Sequence, residues 1–458
     1  MGKKVTVEEL LAKAEKPAKL ALAYHPFYEG KVQVMPKCAI RTPYDFAIWY
    51  TPGVATPCRK IQEEKELVFK YTNRWNYVAV VSDGTRVLGL GDIGPEAGLP
   101  VMEGKALLFK YLGGVDAFPI CLGTKDPDEI ITACRWLEPT FGGINLEDIS
   151  KPKCFYILER VREQLEIPVW HDDQQGTATV ILAGVINALK LVGKKMDEAL
   201  ITMLGVGSAN TRTAIVLMRA GVKPGNITMV DTKGILHSNR KDLEAEKKAN
   251  PWKWDFCLKT NAEGRIGDAA DALKDVDACI AASKPGPGTI KKEWVAQMAP
   301  NSIVFACANP IPEIWPWEAK EAGAKIIATG RSDFENQINN SLGFPGIFRG
   351  VLDVKAKTIT DDMCIAAGME LAKFAEERGI HEGDIVPRMD EWEVYPREAV
   401  ACALKSMEVG VARVKPSRQE LWDRAVSIIK NARESTKTLM ERGFIPLPPA
   451  EEEVLKSQ

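Results

Sequence analysis

The 458-residue sequence has almost no net charge and no long apolar run. A formal net charge of −2 leaves no basic surface to attract nucleic acid or an anionic membrane. No segment approaches the roughly 18 consecutive apolar residues of a membrane span. The opening, MGKKVTVEELLAKAEKPAKLAL, also lacks the apolar core of a signal peptide. These absences predict a cytoplasmic protein whose partners include neither nucleic acid nor a membrane.

Cysteine motifs are missing as well. The ten cysteines are scattered, none forms a CxxC pair, and a chain of this size needs no disulfides to stabilise its fold. What is present is the composition of an ordinary globular protein, with 45% apolar and 27% charged residues. The length alone predicts two or three domains, each with its own core.

The first part of the chain mixes helical and strand patterns. An amphipathic helix is predicted over residues 1–30, and short strands such as 78–81 alternate with glycine-rich turns from residue 31 to about 120. Helical patterns follow, and the one near the end of this region is apolar almost throughout, which predicts a buried helix. These predicted helices are 128–137, 152–165 and 177–192.

From residue 199 onward, apolar strands alternate with helices, which predicts a parallel sheet. The predicted strands are 199–204, 227–230, 278–281, 302–306 and 325–328. The fold class is therefore α/β. We expect an N-terminal α/β domain at 1–175 and a Rossmann-like dinucleotide-binding domain at 176–355. C-terminal helices at 356–458 form a separate small bundle or pack back onto the other domains.

The segment LITMLGVGSAN places Gly205 and Gly207 between a buried strand and a helix. The first glycine permits a tight turn, and the second lets the backbone approach a pyrophosphate at the helix N-terminus. Asn210 replaces the third glycine of the fingerprint, and an ordinary strand-to-helix turn would carry the same two glycines. Because strands flank this turn and an acidic residue follows the next strand, we favour a dinucleotide site.

That acidic residue is Asp231, which stands 26 residues after Gly205. A carboxylate at this place suits the hydroxyls of the adenosine ribose and favours NAD. Three basic residues, Lys233, Arg240 and Lys241, follow closely and could meet a 2′-phosphate. NAD and NADP are therefore both open as the cofactor.

Two acidic pairs follow apolar runs, as if each pair stood at the exposed end of a strand. Glu147 and Asp148 follow GGINL, and Asp172 and Asp173 follow IPVWH. Carboxylates converging on one point repel one another unless a cation lies between them, and oxygen ligands suit Mg²⁺ or Mn²⁺. His171 is a further candidate ligand. Taken alone, each pair favours a helix N-cap, with Asp148 and Asp173 as the capping residues, and spacing in the sequence does not show convergence.

Five longer segments carry a family resemblance: WYTPGVATPC, LGLGDIGPEAGLPVMEGKALLFK, PTFGGINLEDI, HDDQQGTATVILAG and SDFENQINNSLGFPGIFRG. In this combination and order they resemble the malic enzyme family, in its compact bacterial and archaeal form. The resemblance spans residues from about 33 to about 412. It implies oxidative decarboxylation of L-malate to pyruvate and CO₂, with reduction of NAD or NADP and help from Mg²⁺ or Mn²⁺. It also implies that residues 1–175 are the substrate and metal domain.

The resemblance implies a role for each matching residue. Tyr50 would be the general acid and Lys105 the general base, with a pKa lowered by burial beside the cation. Asp172 would stand beside the metal ligands or relay a proton. The implied metal ligands are Glu147, Asp148 and Asp173, and the implied substrate-binding residues are Arg86, Lys105, Asn339 and Asn340. The implied cofactor-binding residues are Thr177, Gly205, Gly207, Ser208, Ala209, Asn210, Asp231 and Asn309.

The chain departs from the family pattern at several places. Asn210 stands where relatives have glycine, which affects helix packing and cofactor fit. Trp170 stands where phenylalanine is commoner, and Gln175 where small relatives often have histidine. We expect neither of these two side chains to touch a proposed catalytic group. The tail after about residue 412 is less similar to the family, and no role is assigned to it.

Other functions are compatible with parts of the pattern. A malolactic-type enzyme shares these motifs but retains its cofactor and releases lactate. A metal-independent 2-hydroxy-acid dehydrogenase uses a catalytic histidine with an arginine, and of the four histidines here only His171 stands near plausible chemistry. A nucleotide-sensing domain would not need Tyr50, Lys105 and the carboxylates together. Relatives are commonly dimers or larger, so we expect a homo-oligomer, a dimer by resemblance.

Overall fold

The computed structural model describes residues 7–457. Four helices precede the first strand: α1 (Val7–Tyr28), α2 (Asp45–Trp49), α3 (Ala55–Glu63) and α4 (Val68–Tyr71). The segment that carries α2 and α3 is largely exposed, and α3 has no buried residue. In residues 7–457, no helix combines the length and the apolar character that crossing a membrane requires.

The first sheet has four strands, all parallel, in the order β2-β1-β3-β4. They are β1 (Tyr77–Ser82), β2 (Asp116–Cys121), β3 (Gly143–Leu146) and β4 (Val169–His171). The connecting helices are α5 (Pro95–Gly113), α6 (Pro127–Leu137) and α7 (Lys153–Gln164). Apolar strand residues alternate between two cores, one against α6 and α7 and one against α5 and the C-terminal helices.

The region from 31 to 120 differs from the predicted run of strands and glycine-rich turns. Besides β1 and the start of β2, it is mainly helical, and α5 alone has 19 residues. Gly98, Pro100 and Gly104 conceal this helix in the sequence because all three are poor helix formers. The helix persists because Met102, Ala106 and Phe109 recur at helical spacing and are buried against the sheet.

The second sheet has six strands in the order β10-β9-β8-β5-β6-β7. They are β5 (Ile201–Leu204), β6 (Ile227–Asp231), β7 (Gly234–Ile235), β8 (Ala278–Ala281), β9 (Ile303–Ala306) and β10 (Ile326–Thr329). All pairs are parallel except β6 with β7. The helices of this region are α8 (Thr177–Leu191), α9 (Ser208–Arg219), α10 (Lys241–Ala245), α11 (Pro251–Lys259), α12 (Ala269–Leu273), α13 (Lys292–Val295) and α14 (Pro316–Glu321). The predicted parallel sheet is thus present, with each strand near its expected place.

Five helices complete the chain: α15 (Phe344–Asp353), α16 (Asp361–Arg378), α17 (Val394–Glu408), α18 (Arg418–Glu441) and α19 (Glu451–Lys456). They pack back onto the rest of the molecule. Phe344 and Phe348 of α15 join the core of the first sheet, while Leu371 of α16 and Tyr395 of α17 join the core around α8. The division of the chain at 175 and 355 stays a prediction.

Candidate active site

The two acidic pairs converge at one edge of the first sheet. Strands β3 and β4 are parallel neighbours with Leu146 opposite His171, so the residues that follow them emerge side by side. One carboxylate oxygen from each of Glu147, Asp148 and Asp173 lies within 4.8 Å of the others. Neither Asp148 nor Asp173 is a helix N-cap. Pro152 is the N-cap of α7, and Asp173 lies inside a single π-helical turn, 172–176.

These three carboxylates, here called the carboxylate triad, are placed at an electrostatic cost. Burial raises the pKa of Glu147 and of Asp173 and raises that of Asp148 to about 8, and repulsion from neighbouring carboxylates adds to the shifts of Glu147 and Asp148. One oxygen of Asp148 is buried and has no hydrogen-bond partner. An oxygen-only set with an unpartnered buried acceptor fits a hard divalent cation such as Mg²⁺ or Mn²⁺. His171 lies beside the triad, with Nδ1 3.6 Å from Asp173, and burial lowers its pKa to about 3.

Lys105 lies next to the triad. It is on the buried face of α5 and only 7% exposed, and its Nζ is 2.5 Å from Asp172 and 3.1 Å from Glu147. Desolvation lowers the pKa of Lys105, but the charges of Asp172 and Glu147 outweigh it, and the net shift is upward. The expected burial of Lys105 is therefore present. Two carboxylates stabilise the ammonium here, and the lowering of the pKa of Lys105 that is expected beside a bound cation stays a prediction.

Trp170 takes part in this network, contrary to the expectation that it would touch no proposed catalytic group. Its Nε1 donates to Oδ1 of Asp172 at 3.0 Å, while Lys105 occupies Oδ2 of the same carboxylate. The signal was present in the sequence, because residues two apart on a strand point to the same face. Gln175, the other departure, accepts a hydrogen bond from the backbone N–H of His171.

The predicted substrate-binding residues border the same edge. Arg86 is exposed, and its backbone N–H donates to the carbonyl oxygen of Asp148 at 2.9 Å. Asn340 and Asp172 both pack against Gly176. A Cβ on Gly176 would lie 3.1 Å from Cβ of Asn340 and would collide with Oδ1 of Asp172. The side chain of Asn339 accepts from the backbone N–H of Ser341 and starts a short 3₁₀ turn.

The glycine turn after β5 has the conformation that a dinucleotide fingerprint requires. Gly205 has φ +93°, and a Cβ there would lie 2.8 Å from the carbonyl oxygen of Ala282. Ser208 and Ala209 begin α9 and are partly exposed, whereas Asn210 is buried. The amide of Asn210 donates to the carbonyl oxygens of Leu204 and Gly205 at 2.9 Å each. The residue that replaces the third glycine thus stabilises the turn through hydrogen bonds to its backbone.

Loops that follow the strands of the first sheet contact loops that follow the strands of the second sheet. Lys151, which follows β3, donates to the carbonyl oxygen of Val206 in the glycine turn at 3.0 Å. Gly89 approaches Asn309 so closely that a Cβ on Gly89 would lie 2.8 Å from the Asn309 carbonyl oxygen. Thr177, the first residue of α8, directly follows the turn that carries Asp173. The carboxylate triad and the glycine turn therefore border one cleft.

Tyr50 is not part of this cluster. It is the residue after α2, its side chain is 74% exposed, and its hydroxyl makes no hydrogen bond with the described residues. Large apolar neighbours in the same segment are also exposed, including Val34 at 80% and Tyr44 at 74%. Within one chain, the structure thus assembles Lys105, Asp172 and the triad but not Tyr50.

The fold and this cleft define a class: an α/β protein in which a Rossmann-type turn faces buried carboxylates and an ammonium. Sequence profiles described as the malic enzyme N-terminal domain and the malic enzyme NAD binding domain match residues 29–162 and 174–407. The chain therefore belongs to the malic enzyme family. The predicted family, the α/β fold class and the malic-enzyme type of oxidoreductase are confirmed.

Individual relatives resemble most of the chain. It is 46% identical over 404 residues to the bifunctional malic/malolactic enzyme of Bacillus subtilis, covering 88% of this chain and 96% of that one. It is 47% identical over 384 residues to the NAD-dependent malic enzyme of Geobacillus stearothermophilus, covering 84% and 78%. The crystal structure of Entamoeba histolytica malic enzyme matches with a TM-score of 0.96 at 47% identity, covering 100% of this chain and 95% of that chain.

Proposed function

We propose that this protein catalyses the metal-dependent oxidative decarboxylation of L-malate to pyruvate and CO₂, with NAD or NADP as the oxidant. One observation carries the proposal: Lys105 contacts Asp172 and Glu147 at the edge where the carboxylate triad borders the glycine turn. Relatives named as NAD-dependent and as NADP-dependent support both cofactors. The location stays a prediction: the cytoplasm.

We assign the metal to Glu147, Asp148 and Asp173. Their crowding and burial favour a bound cation, because burial raises the pKa of all three and the charge of Asp173 raises the pKa of Glu147 and of Asp148 further. A bound divalent ion would act as a Lewis acid on the C2 oxygen of malate and stabilise the negative charge left there by the loss of CO₂.

Lys105 is the proposed base for the C2 hydroxyl. Since its carboxylate neighbours hold it as an ammonium, it must first release a proton, and Asp172 at 2.5 Å is the nearest acceptor. Trp170 keeps the other oxygen of Asp172 oriented. Arg86 is the proposed partner of a substrate carboxylate because an exposed guanidinium can bind two oxygens at once. We place Asn339, Asn340 and Asn309 on the substrate and nicotinamide sides.

The exposure of Tyr50 supports a homo-oligomer in which one copy completes the site of another. A run of exposed apolar side chains around Tyr50 is typical of a protein–protein contact. This run comprises Val34, Met35, Ile40, Tyr44, Phe46, Ile48, Trp49 and Tyr50. Covered by a second copy, the segment would bring Tyr50 to a neighbouring cleft, where it protonates C3 of the enolpyruvate.

Mixing two inactive variants tests the shared site. Tyr50→Phe and Lys105→Ala each remove one group, so each homodimer is inactive. If sites are shared between copies, a mixed dimer has one intact site, and random exchange restores about a quarter of the wild-type activity. If Tyr50 serves its own chain, every site in the mixture lacks one group and no activity returns, which would exclude the shared arrangement.

The reaction itself is tested by absorbance of the reduced cofactor with L-malate and Mn²⁺, run separately with NAD⁺ and NADP⁺ and repeated with a chelator. Net formation of NADH or NADPH with pyruvate is expected, and chelator should abolish it. Lactate formed without net reduced cofactor would favour the malolactic reaction instead, which the Bacillus subtilis relative makes a specific alternative. Lys105→Ala should lose turnover while the cofactor still binds.

A further inference from the structure

Glu313 joins the two loops that follow β8 and β9. These strands are parallel neighbours, so the loops 282–290 and 307–315 leave the same edge of the sheet side by side. Glu313 lies in the second loop, and its side chain has no exposed surface. Oε1 accepts from the backbone N–H of Ser283 at 2.8 Å and from the hydroxyl of the same residue at 3.1 Å. Oε2 accepts from the backbone N–H of Ala308 at 3.0 Å.

A carboxylate suits this place better than any other side-chain group. Both oxygens of Glu313 face donors, and an ionised carboxylate offers two acceptor oxygens and no donor. Hydrogen bonds to an ionised carboxylate are charge-assisted and stronger than those between neutral groups. Burial raises the pKa of Glu313, and the bonds from Ser283 and Ala308 offset part of this shift. The three bonds thus compensate for part of the cost of burial, and they hold the two loops together.

The backbones of the two loops are bonded to each other at a second place. The N–H of Ile290, at the far end of the first loop, donates to the carbonyl oxygen of Glu313 at 3.0 Å. The carboxylate of Glu313 instead reaches the beginning of each loop, at Ser283 and Ala308. These two residues stand close to the strand ends, where ligands of parallel sheets bind. The side chain of Glu313 therefore fixes the part of each loop that is nearest to the expected cofactor.

The loop 307–315 carries Asn309, the residue that we place on the nicotinamide side. Asn309 directly follows Ala308, whose N–H is bound by Glu313. Its side-chain amide packs closely against the backbone after β10, since a Cβ on Gly330 would lie 2.5 Å from Nδ2 of Asn309. A shift of Ala308 would carry the neighbouring Asn309 with it. The carboxylate that fixes Ala308 therefore also fixes the position of the Asn309 amide.

The glycine turn at Gly205 is stabilised by other groups. Its carbonyl oxygen accepts from the amide of Asn210 at 2.9 Å, and its N–H donates to the carbonyl oxygen of Val230 at 2.9 Å. Ser283 only packs beside this turn, where a Cβ on Gly205 would lie 3.1 Å from Cβ of Ser283. The edge that faces the cofactor thus has two separately stabilised parts. One is the turn expected to bind the pyrophosphate, and the other is the pair of loops joined by Glu313.

We propose that Glu313 is a positioning residue for the nicotinamide half of the cofactor. By binding Ser283 and Ala308 at once, it holds the two loops at the spacing at which Asn309 contacts the nicotinamide side. Glu313 touches no reacting atom itself, because its side chain is fully buried between the loops. The proposal rests on the proposed function in taking the dinucleotide to lie at the Gly205 turn, with its nicotinamide directed toward the carboxylate triad.

Calorimetric titration of the full-length protein and of Glu313→Gln tests this without turnover. The probes are NADH with ADP-ribose and NADPH with 2′-phospho-ADP-ribose, and the second compound of each pair lacks the nicotinamide. The measure is the ratio of the dissociation constant of the fragment to that of the dinucleotide. Glutamine keeps the size of the side chain but turns an amide N–H₂ toward a loop donor, so one loop loses its acceptor. We expect the ratio to fall about 10-fold, while the fragment binds as it does to the wild type.

Glu321→Gln is the matched control. It removes the same charge from the exposed end of α14, where Glu321 pairs with Lys292 at 2.6 Å, and its ratio should equal that of the wild type. Ser283→Ala is a milder variant that removes only the hydroxyl donor to Oε1, and it should lower the ratio about 2- to 5-fold. An unchanged ratio in Glu313→Gln, or in Ser283→Ala if the first variant does not fold, would overturn the proposal. A lowered ratio in a protein whose wild type does not oxidise malate would instead count against the proposed function alone.

Discussion

Glu398 on α17 offers a sharp test of the packing between the C-terminal helices. Its side chain is fully buried, and neither carboxyl oxygen has a hydrogen-bond partner among the described residues. It lies against the start of α15, where a Cβ on Gly346 would collide with Oε2. Burial alone raises the pKa of Glu398 well above its ordinary value, so the folded protein holds it as a neutral acid.

The consequence is a pH-dependent loss of stability. The unfolded chain releases this proton above about pH 4.5, whereas the folded chain keeps it, so Glu398 favours folding most at low pH and less as the pH rises. As long as the folded chain keeps the proton, the free energy of unfolding falls by up to about 1.36 kcal/mol per pH unit, or up to about 2.7 kcal/mol between pH 5.5 and 7.5. Glu398→Gln removes the titration while keeping the shape. Its free energy of unfolding should therefore fall less steeply than that of the wild type, by up to about 2.7 kcal/mol over this range.

Denaturant unfolding at pH 5.5, 6.5 and 7.5 measures the slope, and the infrared difference spectrum of wild type minus Glu398→Gln at pH 7.5 should show the carbonyl stretch of one additional protonated acid in the wild type. Glu408→Gln is the control, since Glu408 is exposed near the end of the same helix and pairs with Lys405. Its curve should run parallel to that of the wild type. If the curve of Glu398→Gln runs parallel as well, the carboxyl is ionised or solvated, and the argument from burial is refuted.

Three further predictions concern the cleft. Adding Mn²⁺ to chelator-treated protein should raise the midpoint of thermal unfolding as well as restore turnover, because a ligand that binds only the folded triad stabilises it; an unchanged midpoint would argue against metal binding there. Trp170→Phe should cost about 1.5–3 kcal/mol in denaturant unfolding, since the carboxylate of Asp172 loses a donor, whereas Trp136→Phe, at a side chain 78% exposed, should cost far less. Gly205→Ala should weaken cofactor binding in fluorescence titrations, because the added Cβ meets Ala282 and the positive φ strains any residue but glycine by about 1 kcal/mol; wild-type affinity would show that the turn tolerates a side chain.

The positions of the acidic pairs were readable in the sequence, but their convergence was not. Apolar runs before Glu147 and Asp172 indicated strand ends, and β3 and β4 end there. Whether two strands are neighbours depends on the order of the whole sheet, here β2-β1-β3-β4. That order is set by packing between distant segments, so no local pattern contains it. The metal-ligand prediction had to rest on family resemblance.

Other features were hidden for local reasons. Lys105 lies on a helix whose glycines and proline disguise it, so its burial follows from packing of α5 rather than from propensity. The direction of the shift in its pKa depends on which charged groups the fold brings near it.

Asp231 shows the same limit. The sequence places it at the end of a strand, but whether its carboxylate can accept a further hydrogen bond depends on Arg240 and Lys253, which the fold brings into contact with it.

The chemistry is concentrated where parallel strands end, and the reason is physical. Strand interiors are filled by apolar side chains such as Ile144 and Met203, both with no exposed surface. Functional side chains must therefore follow the last paired residue, and parallel strands all end at one edge. Asp148 follows β3, and Asp231 is the last residue of β6. Because both sheets present this edge to the same cleft, and Lys151 bonds to the glycine turn across it, a substrate bound by one sheet meets a dinucleotide bound by the other.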